Sequence, residues 1–117
     1  DQLGTVRAIS AETGKTEWTY EQRAATMSLA ATGGGLVFGG DVNGRFRALD
    51  DETGAVLWEI NLGSPVSGFP VTYAVDGKQY VVAGTGTGGN ASRFSAMTPE
   101  LRPSSGNNLF VFALPDE

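Results

Sequence analysis

Two copies of one eleven-residue pattern stand 40 residues apart in this chain: Ala8-Ile9-Ser10-Ala11-Glu12-Thr13-Gly14-Lys15-Thr16-Glu17-Trp18 and Ala48-Leu49-Asp50-Asp51-Glu52-Thr53-Gly54-Ala55-Val56-Leu57-Trp58. A fixed period of that length, with strand-like segments inside it, demands units that cannot bury their faces alone and must stack on their neighbours. A β-propeller meets that demand. Both Trp residues of the chain, Trp18 and Trp58, close the pattern, and Glu-Thr-Gly precedes each at the same spacing. Val6–Ile9 and Phe46–Leu49 read as strands entering a turn, where Gly14 or Gly54 supplies a positive φ without a Cβ clash. Each Trp then falls on the return strand.

The chain has 117 residues, whereas a four-stranded blade takes about 40 to 50 and a closed propeller has about four to eight blades. The expectation is an all-β propeller segment of about two and a half blades, part of a larger ring. Clusters of β-branched and aromatic residues between turn signals mark the strands. Residues 1–24 read as the end of one blade, with strands near 5–10 and 16–22. Residues 25–64 read as a complete blade: Ser28–Thr32, the Gly33-Gly34-Gly35 turn, Leu36–Gly40, the Asp41-Val42-Asn43-Gly44 turn, Arg45–Asp50 and Ala55–Asn61. Residues 65–117 read as a last blade that opens at Gly68–Tyr73, turns at Asp76-Gly77, runs through Gln79–Ala83 and recovers a strand at Leu109–Leu114. Asp-Gly is a strong hairpin signal. Ala113 sits where Ala8 and Ala48 sit in their units, and the strand that would follow it is expected from the N-terminal end of a larger protein.

Residues 84–107 are rich in Gly, Ser, Thr, Asn and Pro and have no periodicity. A connection of that length in a compact domain is usually functional or disordered. It is the one segment with the character of a lid or pocket wall.

Composition removes several function classes. Eight Lys and Arg against thirteen Asp and Glu give a net charge of -5, so no basic patch is available for phosphates and nucleic-acid binding is disfavoured. Without Cys or His there is no Ser-His-Asp triad, no Cys-His pair and no familiar zinc site. No apolar run approaches the roughly 20 residues of a membrane helix, and the N-terminus lacks a signal-peptide pattern. Gly84-Thr85-Gly86-Thr87-Gly88-Gly89 lacks the following helix and the Lys of a phosphate loop. Asp41-Val42-Asn43-Gly44 starts like a calcium loop but lacks the later ligands, so it reads as a hairpin turn.

The A-x-D-x-x-x-G-x-x-x-W pattern resembles the tryptophan-docking motif of the quinoprotein alcohol dehydrogenases, eight-bladed propellers that use pyrroloquinoline quinone (PQQ). Ser10 departs from the motif's Asp; Asp50 keeps it. The stretches Ala30–Asp41, Phe69–Tyr80 and Phe110–Pro115 are similar, in order and spacing, to the C-terminal end of those enzymes. The scaffold component of the bacterial outer-membrane barrel assembly machine is built from similar repeats and is the alternative. A large indole can cover backbone of the adjacent blade, and its one N–H needs an acceptor. The resemblance therefore implies that Trp18 and Trp58 are inter-blade residues.

The resemblance further implies hydride removal from an alcohol to PQQ, assisted by an Asp base and by Ca²⁺ or a lanthanide acting as Lewis acid, with these residues upstream of this segment. It implies a periplasmic enzyme that passes electrons to a cytochrome or other acceptor. Two places carry over as cofactor-pocket lining. Thr26, Met27 and Ser28 lie where the family often has a Trp and small residues near the quinone. Gly88, Gly89 and Asn90 lie in its glycine-rich loop. Thr26 and Asn90 stand where relatives have Trp, which implies a pocket of different shape.

Overall fold

Nine strands organise the described residues of this computed structural model, which are 2–86, 96–103 and 106–114, into three antiparallel sheets. The first pairs β1 (Gly4–Ile9) with β2 (Thr16–Gln22). The second runs β3 (Thr26–Ala31), β4 (Leu36–Asp41), β5 (Arg45–Asp50) and β6 (Val56–Asn61). The third runs β7 (Val71–Val75), β8 (Lys78–Gly84) and β9 (Leu109–Ala113). Neighbours in sequence are neighbours in each sheet, the up-and-down order of a propeller blade, so the chain is a partial β-propeller.

The repeat in the sequence is a repeat of hydrogen bonds. At each pattern the strand register shifts after the Ala, between Ala8 and Ile9 and between Ala48 and Leu49. Gly14 and Gly54, at φ 73° and 76°, donate to the carbonyls of Ser10 and Asp50 at 2.8 Å in both turns. Thr13 and Thr53 each accept the amide two residues on at 3.2 Å. The one substitution in the pattern has a local consequence. The Asp50 carboxylate accepts from Glu52 at 2.8 Å, whereas the Ser10 hydroxyl accepts from Glu12 at 3.3 Å.

Nothing lies within 4 Å of a Cβ placed on Gly14, but the second turn carries the indole of the preceding unit. Trp18 Nε1 donates to the Asp51 carbonyl at 2.8 Å. A Cβ placed on Gly54 would lie 2.5 Å from Trp18 Cε3 and 2.7 Å from Cδ2. Glycine at this position therefore meets two demands, the positive φ and the indole lying on its backbone.

Between the second and third sheets the core comprises Phe38, Phe46, Ala48, Val66, Val81 and Ala83, with Phe112 packed against it. Phe46 stacks on Phe38 at 6.0 Å and on Phe112 at 5.9 Å between ring centroids, and Trp58 meets Phe112 edge-on at 5.3 Å. Such arrangements suit the aromatic quadrupole. Val66 enters where Gly40 has no side chain, since a Cβ there would lie 2.3 Å from Val66 Cγ1.

Two strand starts differ from the sequence reading by more than one residue. β3 begins at Thr26 instead of Ser28, because Thr26 pairs with Asp41 across an irregularity that leaves Met27 as the extra residue. β7 begins at Val71 instead of Gly68, because Pro70 has no N–H for a ladder and the carbonyl of Gly68 accepts from Ser28 Oγ at 2.9 Å.

Gly14→Ala and Gly54→Ala impose the same left-handed backbone strain, about 1–2 kcal/mol. Nothing lies within 4 Å of a Cβ on Gly14, while Gly54 faces Trp18. Thermal unfolding of the full-length protein is expected to show the Gly54 variant as the clearly less stable of the two, with Gly33→Ala close to wild type.

Candidate functional site

Strand direction places all the connections between successive sheets at one end. β2 ends and β3 starts there, β4 turns into β5, β6 leads to β7, and β8 leaves toward β9. A belt of backbone hydrogen bonds ties these connections together. Val42 N donates to Ala25 O at 2.9 Å, Leu62 N to Gly44 O at 2.7 Å, Val66 N to Asp41 O at 3.0 Å, and Gly86 N to Pro65 O at 2.9 Å.

Thr26, Met27 and Ser28 open β3 within this end, and they divide by direction. The Ser28 hydroxyl is buried and spent on Gly68 O, so it ties the second sheet to the segment leading into the third. Among the described residues the Thr26 hydroxyl receives only a long contact from Gln22 Nε2, 3.5 Å, which leaves its own O–H for another acceptor. Met27, the bulged residue, packs against buried Ala24, Ala25 and Val42. Bulges commonly re-aim a side chain beside a site. Gly88, Gly89 and Asn90 lie outside the described residues. The described ends of their connection are tied together: Thr85 N donates to Asn108 O at 2.9 Å, and Asn108 N to Thr85 Oγ1 at 3.2 Å.

A charged cluster that the sequence reading passed over holds the β4–β5 turn. Asp41, 1% exposed, accepts with Oδ1 from the amides of Asn43 at 2.8 Å and Arg45 at 3.0 Å. Its Oδ2 accepts from Arg47 Nη1 at 2.7 Å. Arg47 also pairs with Glu59 and lies over the Tyr20 ring of the first sheet, 5.7 Å from its centroid. Burial of the Arg47 guanidinium works against its charge, but the hydrogen bond and charge of Asp41, with Tyr20 and Glu59, outweigh that and raise its pKa. The signal in the sequence was the alternation Arg45-Phe46-Arg47-Ala48, which puts two cations on one strand face.

The other unforeseen contact comes from the far side of the long connection. Glu100 accepts from Arg23 Nε at 2.6 Å, and Leu101 packs against the Ala24, Ala25 and Val42 cluster. The hydrogen bond from Arg23 holds the Glu100 carboxyl below its ordinary range. Leu101, Arg23, Arg45, Arg47, Asn43 and Gln22 line an open pocket of about 160 Å³ with Asp41 at its wall. Gln22 Oε1 is buried without a partner among the described residues. A larger groove, about 510 Å³, lies between the second and third sheets along Trp58, Leu57, Phe112 and Leu114. Those residues start β6 and end β9, so the groove belongs to the opposite end and its apolar wall suits packing.

Residues 22–81 match the PQQ family model described as the glucose/ethanol/alcohol dehydrogenase β-propeller domain. The chain is 36% identical to the quinoprotein alcohol dehydrogenase PedE of Pseudomonas putida over 98% of its own length and 19% of that protein. It therefore spans about a fifth of the length of that curated relative. Among solved structures it resembles a europium-containing methanol dehydrogenase, with a TM-score of 0.80, 32% identity, and coverage of 94% of this chain and 23% of that one. BamB from Moraxella catarrhalis is also similar, with a TM-score of 0.57, 31% identity, and coverage of 74% of this chain and 26% of that one.

Arg47→Met leaves the buried Asp41 carboxylate without its cation, and removing one partner of a buried pair typically costs about 3–5 kcal/mol. The unfolding midpoint is expected to drop sharply, and Arg47→Lys is expected to recover part of the loss. A Met variant as stable as wild type would show that the turn does not depend on this pair.

Proposed function

This chain belongs to the PQQ family of dehydrogenase β-propeller domains, and on that basis we propose that it is the C-terminal part of a quinoprotein dehydrogenase that oxidises an alcohol by hydride transfer to PQQ. The observation that carries the reading is the extent of the likeness. It runs beyond the repeats through all three sheets, with 98% of the chain matched in sequence and 94% in structure. In this reading residues 1–24 end one blade, 25–64 form a complete blade and 65–117 form the last. The remaining blades of the same protein are its immediate partners. Trp18 on Gly54 is then one tryptophan-docking contact of the ring. Trp58, in the same place of the next repeat, faces the apolar groove where the corresponding turn would seat.

When bound, PQQ supplies the electrophilic quinone that accepts the hydride. The base and the Ca²⁺ or lanthanide ligands belong to the upstream blades. This chain would contribute pocket wall. The Thr26 hydroxyl keeps a proton to donate to a carbonyl or carboxylate oxygen, and the Met27 thioether is a soft contact for a flat ring. Ser28 would act through position, since its hydroxyl is committed to Gly68. Gly88, Gly89 and Asn90 would complete the wall from the long connection. The similar methanol dehydrogenase contains europium, which supports a metal ion as part of the holoprotein. The family setting supports a periplasmic enzyme feeding a cytochrome or other acceptor.

The scaffold alternative rests on the likeness to BamB, which is lower in TM-score and covers less of the chain. The two readings separate on the full-length protein. Titration with PQQ and either Ca²⁺ or a lanthanide is expected to give saturable binding and alcohol-dependent dye reduction. Absence of binding with both metals would overturn the dehydrogenase reading in favour of the scaffold.

A further inference from the structure

The link between β2 and β3, Arg23-Ala24-Ala25, sets where Thr26 and Met27 stand. It is gripped from below and from the side. Leu3 N donates to Arg23 O at 3.4 Å, and Ala25 O accepts from Val42 N at 2.9 Å. A Cβ on Gly4 would lie 2.1 Å from Ala24 O, so β1 presses directly on the link. Its own side chains are small, yet Ala24 and Ala25 are only 5% and 6% exposed. Something else must cover them.

Leu3 supplies part of the cover, and the segment 96–103, which follows β8 of the third sheet in sequence and reaches the junction of the first and second, supplies another part through Leu101. It turns on the hydrogen bond from Leu101 N to Thr98 O, 3.0 Å, with the Thr98 side chain fully buried. Leu101 lies on the cluster of Ala24, Ala25 and Val42, against which Met27 also packs. Glu100 and Arg23, 77 residues apart, join at 2.6 Å on the outside. An exposed pair of this kind contributes little energy. Its geometry sets the register of the segment on the link, while the apolar contact of Leu101 holds it there.

We propose that residues 96–103 form a strap that positions the β2–β3 link, and through it Thr26 and Met27, with Leu101 and Glu100 as positioning residues; this rests on the reading of Thr26 and Met27 as pocket wall. Met27 is the extra residue of the bulge, so its direction follows the backbone just before it and not a ladder partner. A link freed from above would let that backbone shift and turn Met27 away.

Hydrogen exchange and PQQ titration on the full-length protein test this together. Leu101→Ala is expected to speed amide exchange over residues 23–27 and at Val42 by about tenfold or more, with β5 and β6 unchanged, as local opening requires. It is expected to weaken PQQ binding several-fold, with Leu101→Met restoring both. Glu100→Gln, an exposed change that leaves the core intact, is expected to give a smaller rise in exchange at the same amides and to remove the acceleration that added salt causes in wild type. Unchanged exchange at 23–27 in both variants would overturn the strap. Faster exchange with unaltered PQQ affinity would overturn its positioning role. Failure of the wild-type protein to bind PQQ would instead sink the functional reading, and the exchange result would still decide whether the strap exists.

Discussion

A flat indole lying on a glycine holds the first two sheets of this chain together. Each sheet has a face it cannot bury alone, and Trp18 fastens the first sheet to the second with both shape and a hydrogen bond. The indole needs a backbone without a side chain, and Gly54 supplies it at the same position where the turn needs a positive φ. One residue type therefore serves the turn and the interface. The Asp51 carbonyl, presented by that turn, takes the indole N–H. This coupling explains why the repeat recurs as a block: altering the turn moves the acceptor and the landing surface together.

The two ends of the sheets have different work. Where β5 turns into β6, the surfaces are largely apolar, as in the Trp18 indole on Gly54 and the groove beside Trp58. At the other end polar contacts accompany the small apolar cluster of Ala24, Ala25 and Val42. Asp41 gathers two amides and Arg47, Ser28 reaches Gly68, and backbone bonds run from link to link. Fixed polar groups on a rigid scaffold are the setting in which a site is held in place. Loop sequences can vary there while the packed sheets stay constant.

Much of the fold was legible in the chain because its signals are local. Asp76-Gly77 adopts the positive φ values, 51° and 78°, that a tight hairpin needs, and the two Glu-Thr-Gly turns form as their spacing implied. The strand limits differ at Thr26, where a bulge against Asp41 extends β3, and at Gly68, where Pro70 and the bond from Ser28 delay β7. The candidate site was legible only through resemblance. Thr26 and Met27 do stand at the end where the sheets are linked, yet Ser28 is engaged in tying sheets together. The Glu100–Arg23 contact, 77 residues apart, leaves no period in a sequence, and the Arg47 cluster depends on which strands pair. Arg47 had at least its alternation with Phe46 and Ala48; Leu101 had no signal at all.

In the proposed enzyme the linked end of these sheets faces the cofactor. A crystal structure of the full-length protein loaded with PQQ decides whether it does. Quinone density is expected at that end, with Thr26 within hydrogen-bond reach and Met27 in contact with the ring. Quinone bound at the opposite end, or out of reach of every residue of this chain, would contradict the proposal.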